Sequence, residues 1–276
     1  MTYREVWRSL TRVYDDGEAK AVARLVLEVR FGLTMADVLA GQMPGEAELQ
    51  PILQRLLTGE PVQYVLGQAE FCELLFHVEP GVLIPRPETQ WICDYVSSAW
   101  DALPREGSIL DIGTGSGCIA CTLARRLADN AVEVVGWDIS DTALRVACEN
   151  AERLGAKVTF VKQDALCPPD DHERWDVIVS NPPYVCEQER AGMERNVFDF
   201  EPAEALFVPD ADPQLFYRSI GHYALQALKA EGYLLVEVNA LHGEATANLL
   251  LAMGFVNVRL ITDQFQKNRF VLAYRP

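Results

Sequence analysis

Two short stretches of this chain carry residue types arranged for chemistry. The first, Asp111-Ile112-Gly113-Thr114-Gly115-Ser116-Gly117, follows an apolar run and opens a helical pattern. Glycines there permit a tight turn and close backbone approach to a ligand, with the N–H groups of the following helix directed at it. Neither common nucleotide loop fits. A dinucleotide loop needs glycine where Cys118 stands, and a Walker phosphate loop needs a lysine that this segment lacks. Asp138 ends the next apolar run, 21 residues beyond Gly117, where an acid can accept both hydroxyls of a ribose. The second stretch is Asn181-Pro182-Pro183-Tyr184, directly after the apolar run that ends at Ser180. Two adjacent prolines cannot donate to a sheet ladder, so the strand stops and the chain stiffens. Asn181 then stands at the carboxyl edge of a sheet, where ligands of open α/β folds bind. A surface turn would account for Asn-Pro, but not for the following aromatic or the alignment with the glycine loop.

The D-x-G-x-G-x-G form resembles motif I of class I S-adenosylmethionine methyltransferases, and Asn-Pro-Pro-Tyr resembles motif IV of methyltransferases acting on planar nitrogens. The resemblance implies that Gly113, Thr114, Gly115, Ser116, Gly117, Asp138 and Asn181 bind the cofactor. It also implies that Asp164, after the third strand, holds the adenine amino group, although a solvated Asp at a strand end is equally ordinary. A delocalised amide or amino nitrogen is a poor nucleophile. Held through its hydrogens by the Asn181 side-chain oxygen and the Pro182 carbonyl, it can aim its lone pair at a sulfonium methyl, with the Tyr184 ring stacking on or walling the planar group. Asn181, Pro182 and Tyr184 are thus the implied catalytic residues, with Pro183 alongside them in substrate binding. No strong base is needed, which agrees with His77, His172, His222 and His242 all lying away from these motifs in sequence.

The elements that must position these residues are legible from periodicity. Apolar strands are predicted at Ser108–Ile112, Val132–Trp137, Val158–Val161, Val177–Ser180 and Tyr233–Val238, with amphipathic stretches at 117–129, 141–154 and 214–228 between them. That alternation predicts an α/β domain with a mostly parallel sheet covered on both faces. Phe255–Thr262 and Arg269–Tyr274 read as a closing antiparallel pair. Before residue 61 the pattern is helical: Tyr3, Val6, Trp7, Leu10 and Val13 share one face, as do Leu49, Ile52, Leu53 and Leu56. Phe71, Leu74, Phe76 and Val78, then Val82-Leu83-Ile84, read as two short strands turning at Glu79-Pro80-Gly81. The expected organisation is a helical bundle over 1–67, a β-hairpin and linker over 68–88, and a Rossmann-like methyltransferase domain over 89–276.

Composition bounds the partners. Over 276 residues, 49% are hydrophobic and 23% charged, which argues against disorder, and no apolar run could span a bilayer. The N-terminus lacks the apolar core of a signal peptide, so a cytoplasmic protein is expected. The net charge of −16 is uneven: residues 1–66 hold 7 basic against 9 acidic side chains, leaving 17 against 31 for the rest. A phosphate-gripping protein needs a basic face, so direct nucleic-acid binding is not expected. Seven irregularly spaced cysteines make no disulfide framework. Cys118 and Cys121 form a CxxC with no accompanying ligand cluster and read as small buried helix residues, so no metal is expected.

The whole chain also resembles one family. Gly59-Glu60-Pro61-Val62-Gln63-Tyr64-Val65-Leu66-Gly67, Phe71, Phe76, Leu83-Ile84-Pro85-Arg86-Pro87-Glu88-Thr89, the glycine loop, Asn-Pro-Pro-Tyr, Phe200-Glu201-Pro202 with Ala205-Leu206, and Asn268-Arg269 are similar, in order, to the HemK/PrmC-type peptide chain release factor N5-glutamine methyltransferases. The resemblance implies a monomer that methylates the side-chain amide of the glutamine in a release factor Gly-Gly-Gln loop. It implies docking through the helical domain and hairpin, with S-adenosylmethionine converted to S-adenosylhomocysteine. Arg86 reads either as a hinge or lid residue or as a solvated linker cation. The departures are Gln90, Glu73 where glycine is common, Ala165, and Val238-Asn239. Two other readings share the motifs: a methyltransferase of nucleic-acid amino groups, and an adaptor with a vestigial cofactor fold.

Overall fold

A computed structural model describes residues 1–100, 106–263 and 265–276. The chain forms two compact units, Met1–Gln68 with Val78–Pro80 and Met193–Phe200, and Ala69–His77 with Gly81–Gly192 and Glu201–Pro276.

The first unit is built on α1 (Tyr3–Leu10), α2 (Asp16–Phe31), α3 (Met35–Leu39), α4 (Glu46–Leu57) and α5 (Val62–Leu66). Each of the first three starts on a side chain that satisfies orphan backbone amides: Thr2 and Thr34 form capping boxes with Glu5 and Asp37, and Asp15 accepts from Gly17 and Glu18. Gly32 ends α2 at φ +66°, the left-handed cap that a side chain would strain. The apolar stripes meet in one core of Val6, Leu10, Val22, Val26, Leu49 and Leu53.

The second unit begins with the hairpin β1 (Gln68–Phe71) and β2 (Leu74–His77). Its turn is Cys72-Glu73, both left-handed at φ 50° and 62°. The sequence expectation of a turn at Glu79-Pro80-Gly81 with a strand over Val82-Leu83-Ile84 is therefore corrected. Two consecutive positive φ values suit the twist of a two-residue hairpin, and the signal was hidden because neither residue is glycine. Residues 83–86 instead run without regular structure into a 3-10 turn at Pro87–Thr89.

The succession continues through α6 (Gln90–Ala99), β3 (Glu106–Ile112), α7 (Cys118–Arg126), β4 (Ala131–Asp138), α8 (Asp141–Leu154), β5 (Thr159–Lys162), β6 (Trp175–Ser180) and β7 (Val185–Cys186). After α9 (Arg195–Phe200), which belongs to the first unit, come α10 (Ala203–Leu206), β8 (Phe207–Val208), α11 (Leu215–Ala227), β9 (Leu228–Glu237), α12 (Gly243–Met253), β10 (Val256–Thr262) and β11 (Asn268–Tyr274). The main sheet runs β10-β11-β9-β6-β3-β4-β5. From β9 to β5 every pairing is parallel, and β11 is antiparallel to both β9 and β10. This is the expected α/β class with its closing antiparallel pair. No described helix is long and apolar enough to cross a membrane.

Strand periodicity divides the core in two. Ile109, Val177, Val179 and Leu235 face Ile92, Val96, Ile119 and Leu123 of α6 and α7. The alternate residues, Leu110, Ile112, Ile178, Leu234 and Val236, face Tyr217, Ile220 and Ala224 of α11 and Leu250 of α12. The sheet order turns back at β3, between β4 and β6, so the carboxyl ends of these three strands form a crevice at the switch point.

Candidate active site

A cavity of about 290 Å³ opens at that switch point, entirely within the second unit. Gly113, Thr114, Gly115 and Ser116 from the loop after β3, Asp138 from β4, Asp164 after β5, and Asn181, Pro182 and Pro183 after β6 all line it. Gly117 and Tyr184 stand just outside its lining.

The glycine loop is held from below. Gly113 and Thr114 donate their amides to the Trp137 carbonyl at 2.9 and 2.8 Å, Gly117 donates to Thr114 O at 2.8 Å, and Gly115 donates to Asp138 Oδ2 at 2.9 Å. These four amides are spent internally, so their contribution to the site is shape. Gly115, at φ +55°, has nothing within 4 Å of where a Cβ would be, so a ligand can lie against bare backbone. Gly117 is the opposite case: at φ +77° its Cβ would meet Ala147 and Phe160 at 3.1 and 3.2 Å. It serves packing. Asn150, fully buried in α8, ties the loop to the hairpin by donating to Ser116 O at 2.9 Å and His77 O at 3.0 Å.

Asp138 accepts from Gly115 N with one oxygen and from Ser140 N at 2.9 Å with the other. Each oxygen keeps a lone pair, enough for two further donors such as ribose hydroxyls. Burial raises its pKa against the pull of these amides. Asp111 lies fully buried beneath the loop, where it accepts from the Thr114 hydroxyl at 2.7 Å and from Ala120 N. Desolvation raises its pKa to about 7. Asp164 accepts from Leu166 N at 2.8 Å, which fixes the rim of the cavity. Ile139 and Leu166 are large apolar side chains, 55% and 38% exposed, that also line it. Exposed apolar groups beside an acid that can hold a ribose suit a flat base. Ser116, 1% exposed, completes a lining that fits S-adenosylmethionine.

Asn181 is held by a buried relay. Its Nδ2 donates to Thr89 Oγ1 at 3.3 Å, and Thr89 in turn donates to Glu237 Oε2 at 2.7 Å. Because the Thr89 proton goes to the carboxylate, Thr89 can only accept from Asn181, and the Asn181 amide has one consistent orientation. Tyr184 donates to the other Glu237 oxygen at 3.1 Å, and Tyr217 donates to the Glu237 carbonyl at 3.0 Å. Burial raises the pKa of Glu237 while Thr89 and Tyr184 pull it back, and burial, with the Glu237 charge beside it, raises that of Tyr184. The phenol therefore remains protonated and serves as a donor, not a base. Its ring packs against the core cluster on this side of the sheet.

A second brace involves Glu201, 6% exposed, which accepts from Ile84 N at 3.0 Å and from the Arg86 guanidinium at 2.6 Å. Arg86 and Pro202 both line the cavity, so this ion pair straps residues 84–86 onto the segment before α10 along its wall. Of the two readings of Arg86, solvated linker cation is set aside. Arg86, Thr89 and Glu201 stand in segments that carry the family resemblance, but nothing local pairs Arg86 with Glu201 or Thr89 with Asn181, and Glu237 and Ile139 had no signal of their own. Thr89, in the 3-10 turn before α6, and Glu237, at the end of β9, are 148 residues apart and meet only in the folded unit.

Such a switch-point cavity, with a glycine loop, a ribose-competent acid and Asn-Pro-Pro-Tyr, defines a class I methyltransferase. The fold agrees with a methyltransferase crystal structure from Pyrococcus furiosus, with a TM-score of 0.50 and 18% identity over 80% of this chain and 95% of that one. Residues 96–199 match the family model described as "Methyltransferase small domain". Full-length relatives are more specific. A release factor glutamine methyltransferase of Bacteroides thetaiotaomicron is 42% identical over 97% of both chains. Those of Flavobacterium psychrophilum and Neisseria gonorrhoeae are 35% and 36% identical, over 96% and 99% of this chain and 94% and 97% of theirs. The chain belongs to the release factor glutamine methyltransferase family.

Proposed function

We propose that this protein transfers the methyl group of S-adenosylmethionine to the side-chain amide nitrogen of the glutamine in the Gly-Gly-Gln loop of peptide chain release factors, leaving S-adenosylhomocysteine. The cofactor supplies an electrophilic methyl on a sulfonium. Asp138 accepts the ribose hydroxyls, Asp164 with Ile139 and Leu166 takes the adenine, and the Gly113–Ser116 segment gives the remainder a close-fitting floor. Gly117 acts by packing that floor onto α8.

The observation that carries the chemical assignment is the direction in which Asn181 is fixed. With one hydrogen of its NH₂ on Thr89, its Oδ1 is left to accept from a substrate. An amide NH₂ whose hydrogens meet Asn181 Oδ1 and the Pro182 carbonyl has its lone pair held to one side. That orientation makes a near-attack geometry out of a weak nucleophile. Pro182 and Pro183 keep the acceptors rigid. Tyr184 works from behind through Glu237 in place of stacking on the substrate. The nitrogen loses its proton to solvent after transfer, so no general base is required, and none of the cavity residues described above is placed as one.

The helical unit and the hairpin are the proposed docking surface for the release factor. The acidic balance of the chain fits a protein substrate better than naked nucleic acid, a monomer is the proposed state, and its place of action is the cytoplasm, with translation. The test is incubation with labelled S-adenosylmethionine and either intact release factor or ribosomal RNA, the label then located by mass spectrometry. Label is expected on the Gly-Gly-Gln glutamine. Label on RNA alone would overturn the assignment.

A further inference from the structure

Beyond the relay around Asn181, the segment that follows Asn-Pro-Pro-Tyr carries a second set of chemically able side chains. Among the described residues, Cys186, Glu189 and His242 are the one group of three potential metal ligands whose donor atoms all lie within 4.8 Å of one another. They come from three places in the second unit: Cys186 from β7, Glu189 from the 3-10 turn after it, and His242 from the position preceding α12. Cys186 is fully buried, and the other two are half-buried, so none of them is a mobile surface group.

Two of the three are spaced as ligands of one ion would be. Cys186 Sγ and His242 Nε2 are 3.6 Å apart. Zinc bonds of about 2.3 Å to sulfur and about 2.05 Å to nitrogen, opened to a tetrahedral angle, put those two atoms about 3.6 Å apart. The carboxylate is already oriented from outside. Glu189 Oε1 accepts from Cys186 N at 2.9 Å, and Asn239 Nδ2 donates to Oε1 and Oε2 at 3.0 and 3.1 Å. Asn239 also donates to the Tyr184 carbonyl at 3.2 Å. Outer partners of this kind are what hold ligating carboxylates in metal sites. One thiolate, one imidazole and one carboxylate form a borderline donor set that suits zinc and not magnesium or calcium, which require oxygen throughout.

We propose that Cys186 Sγ, His242 Nε2 and the Glu189 carboxylate form a zinc site, completed by water, which clamps the segment after Asn-Pro-Pro-Tyr to the β9–α12 loop. On binding, the Cys186 thiol gives up its proton to solvent and becomes a thiolate ligand. The ion lies outside the cavity lining. Its part is to stiffen the support of Tyr184 and Asn239, and it takes no part in methyl transfer.

The test uses the full-length protein freed of metal with a chelator, then titrated with zinc against a chromophoric competitor and, separately, with cobalt(II). One ion per chain is expected, together with a near-ultraviolet thiolate-to-cobalt band. Cys186→Ser should abolish that band, whereas replacing the exposed Cys148 and Cys167 by serine should leave it intact. Zinc affinity should fall by at least about 100-fold in Cys186→Ser and in His242→Gln, the upper end of what losing even an outer partner costs. Zinc should raise the melting temperature of the wild type and not that of Cys186→Ser. If Cys186→Ser fails to fold, Glu189→Gln and His242→Gln decide by the same titration. A cobalt complex without a thiolate band, or variants that bind zinc as tightly as the wild type, would overturn the site.

Discussion

Thr89→Val tests the relay behind Asn181 with almost no change of shape. Thr89 is 2% exposed, and valine replaces its hydroxyl with a methyl of similar volume, so cavity formation is not the issue. Two hydrogen bonds disappear. The one to Glu237 Oε2, at 2.7 Å to a buried carboxylate, is worth about 1.5–3 kcal/mol and belongs to folding stability. The one from Asn181 Nδ2 is long, at 3.3 Å, and its loss frees the amide to rotate. At about 1–1.5 kcal/mol for a neutral bond that orients a catalytic acceptor, kcat should fall about 5- to 10-fold. KM for the release factor should hold, because no docking residue is touched. Thr89→Ser keeps the hydroxyl and should restore most of kcat. The assay is steady-state methyl transfer with both substrates varied, alongside a thermal melt. A Thr89→Val enzyme that melts lower yet keeps kcat within twofold would refute the positioning role and leave Thr89 as core packing alone.

Two other expectations follow from the acids at the glycine loop. Asp138→Ala removes the acceptor for two ribose hydroxyls, each a charge-assisted bond of about 1.5 kcal/mol, so calorimetric affinity for S-adenosylmethionine should drop about 100-fold; an unchanged Kd would displace the ribose from Asp138. Asp111, with its pKa raised from 3.8 to about 7, keeps a proton in the folded state that the unfolded chain has already lost. Its contribution to stability is therefore full below pH 3.8 and declines as the pH rises to about 7, by up to about 4 kcal/mol. Denaturant melts of Asp111→Asn should lack that decline; a pH profile identical to the wild type would mean that Asp111 is ionised in the fold.

What could be read in the sequence was whatever a short window encodes. The glycine loop, Asp138 and Asn-Pro-Pro-Tyr each follow a strand of the parallel sheet, and parallel strands put their carboxyl ends at one edge, so local spacing placed them together. Tyr184 was legible as a neighbour of Asn181 but not in its orientation, because its hydroxyl is claimed by Glu237, 53 residues on. Glu201 could be seen in Phe200-Glu201-Pro202, but nothing near it announces Ile84 and Arg86, 117 and 115 residues away. The hairpin turn was misplaced for a different reason: Cys72 and Glu73 adopt left-handed conformations without being glycine or asparagine, so punctuation pointed instead to Glu79-Pro80-Gly81. Helix α12 escaped a reading based on amphipathic stripes because apolar residues surround it, as in Ala247-Asn248-Leu249-Leu250-Leu251-Ala252-Met253. Cys186 and His242 had no common motif, and β7 and the start of α12 meet only in the folded unit.

The most direct measurement is a crystal structure of the protein with S-adenosylhomocysteine and a Gly-Gly-Gln peptide. The glutamine amide nitrogen is expected about 2.9–3.0 Å from both Asn181 Oδ1 and the Pro182 carbonyl, with Asn181 Nδ2 still on Thr89 and the cofactor sulfur facing the nitrogen across the space of one methyl group. A glutamine amide held instead by its oxygen on Asn181 Nδ2, with the Thr89 bond broken, would contradict the orientation on which the proposed chemistry depends.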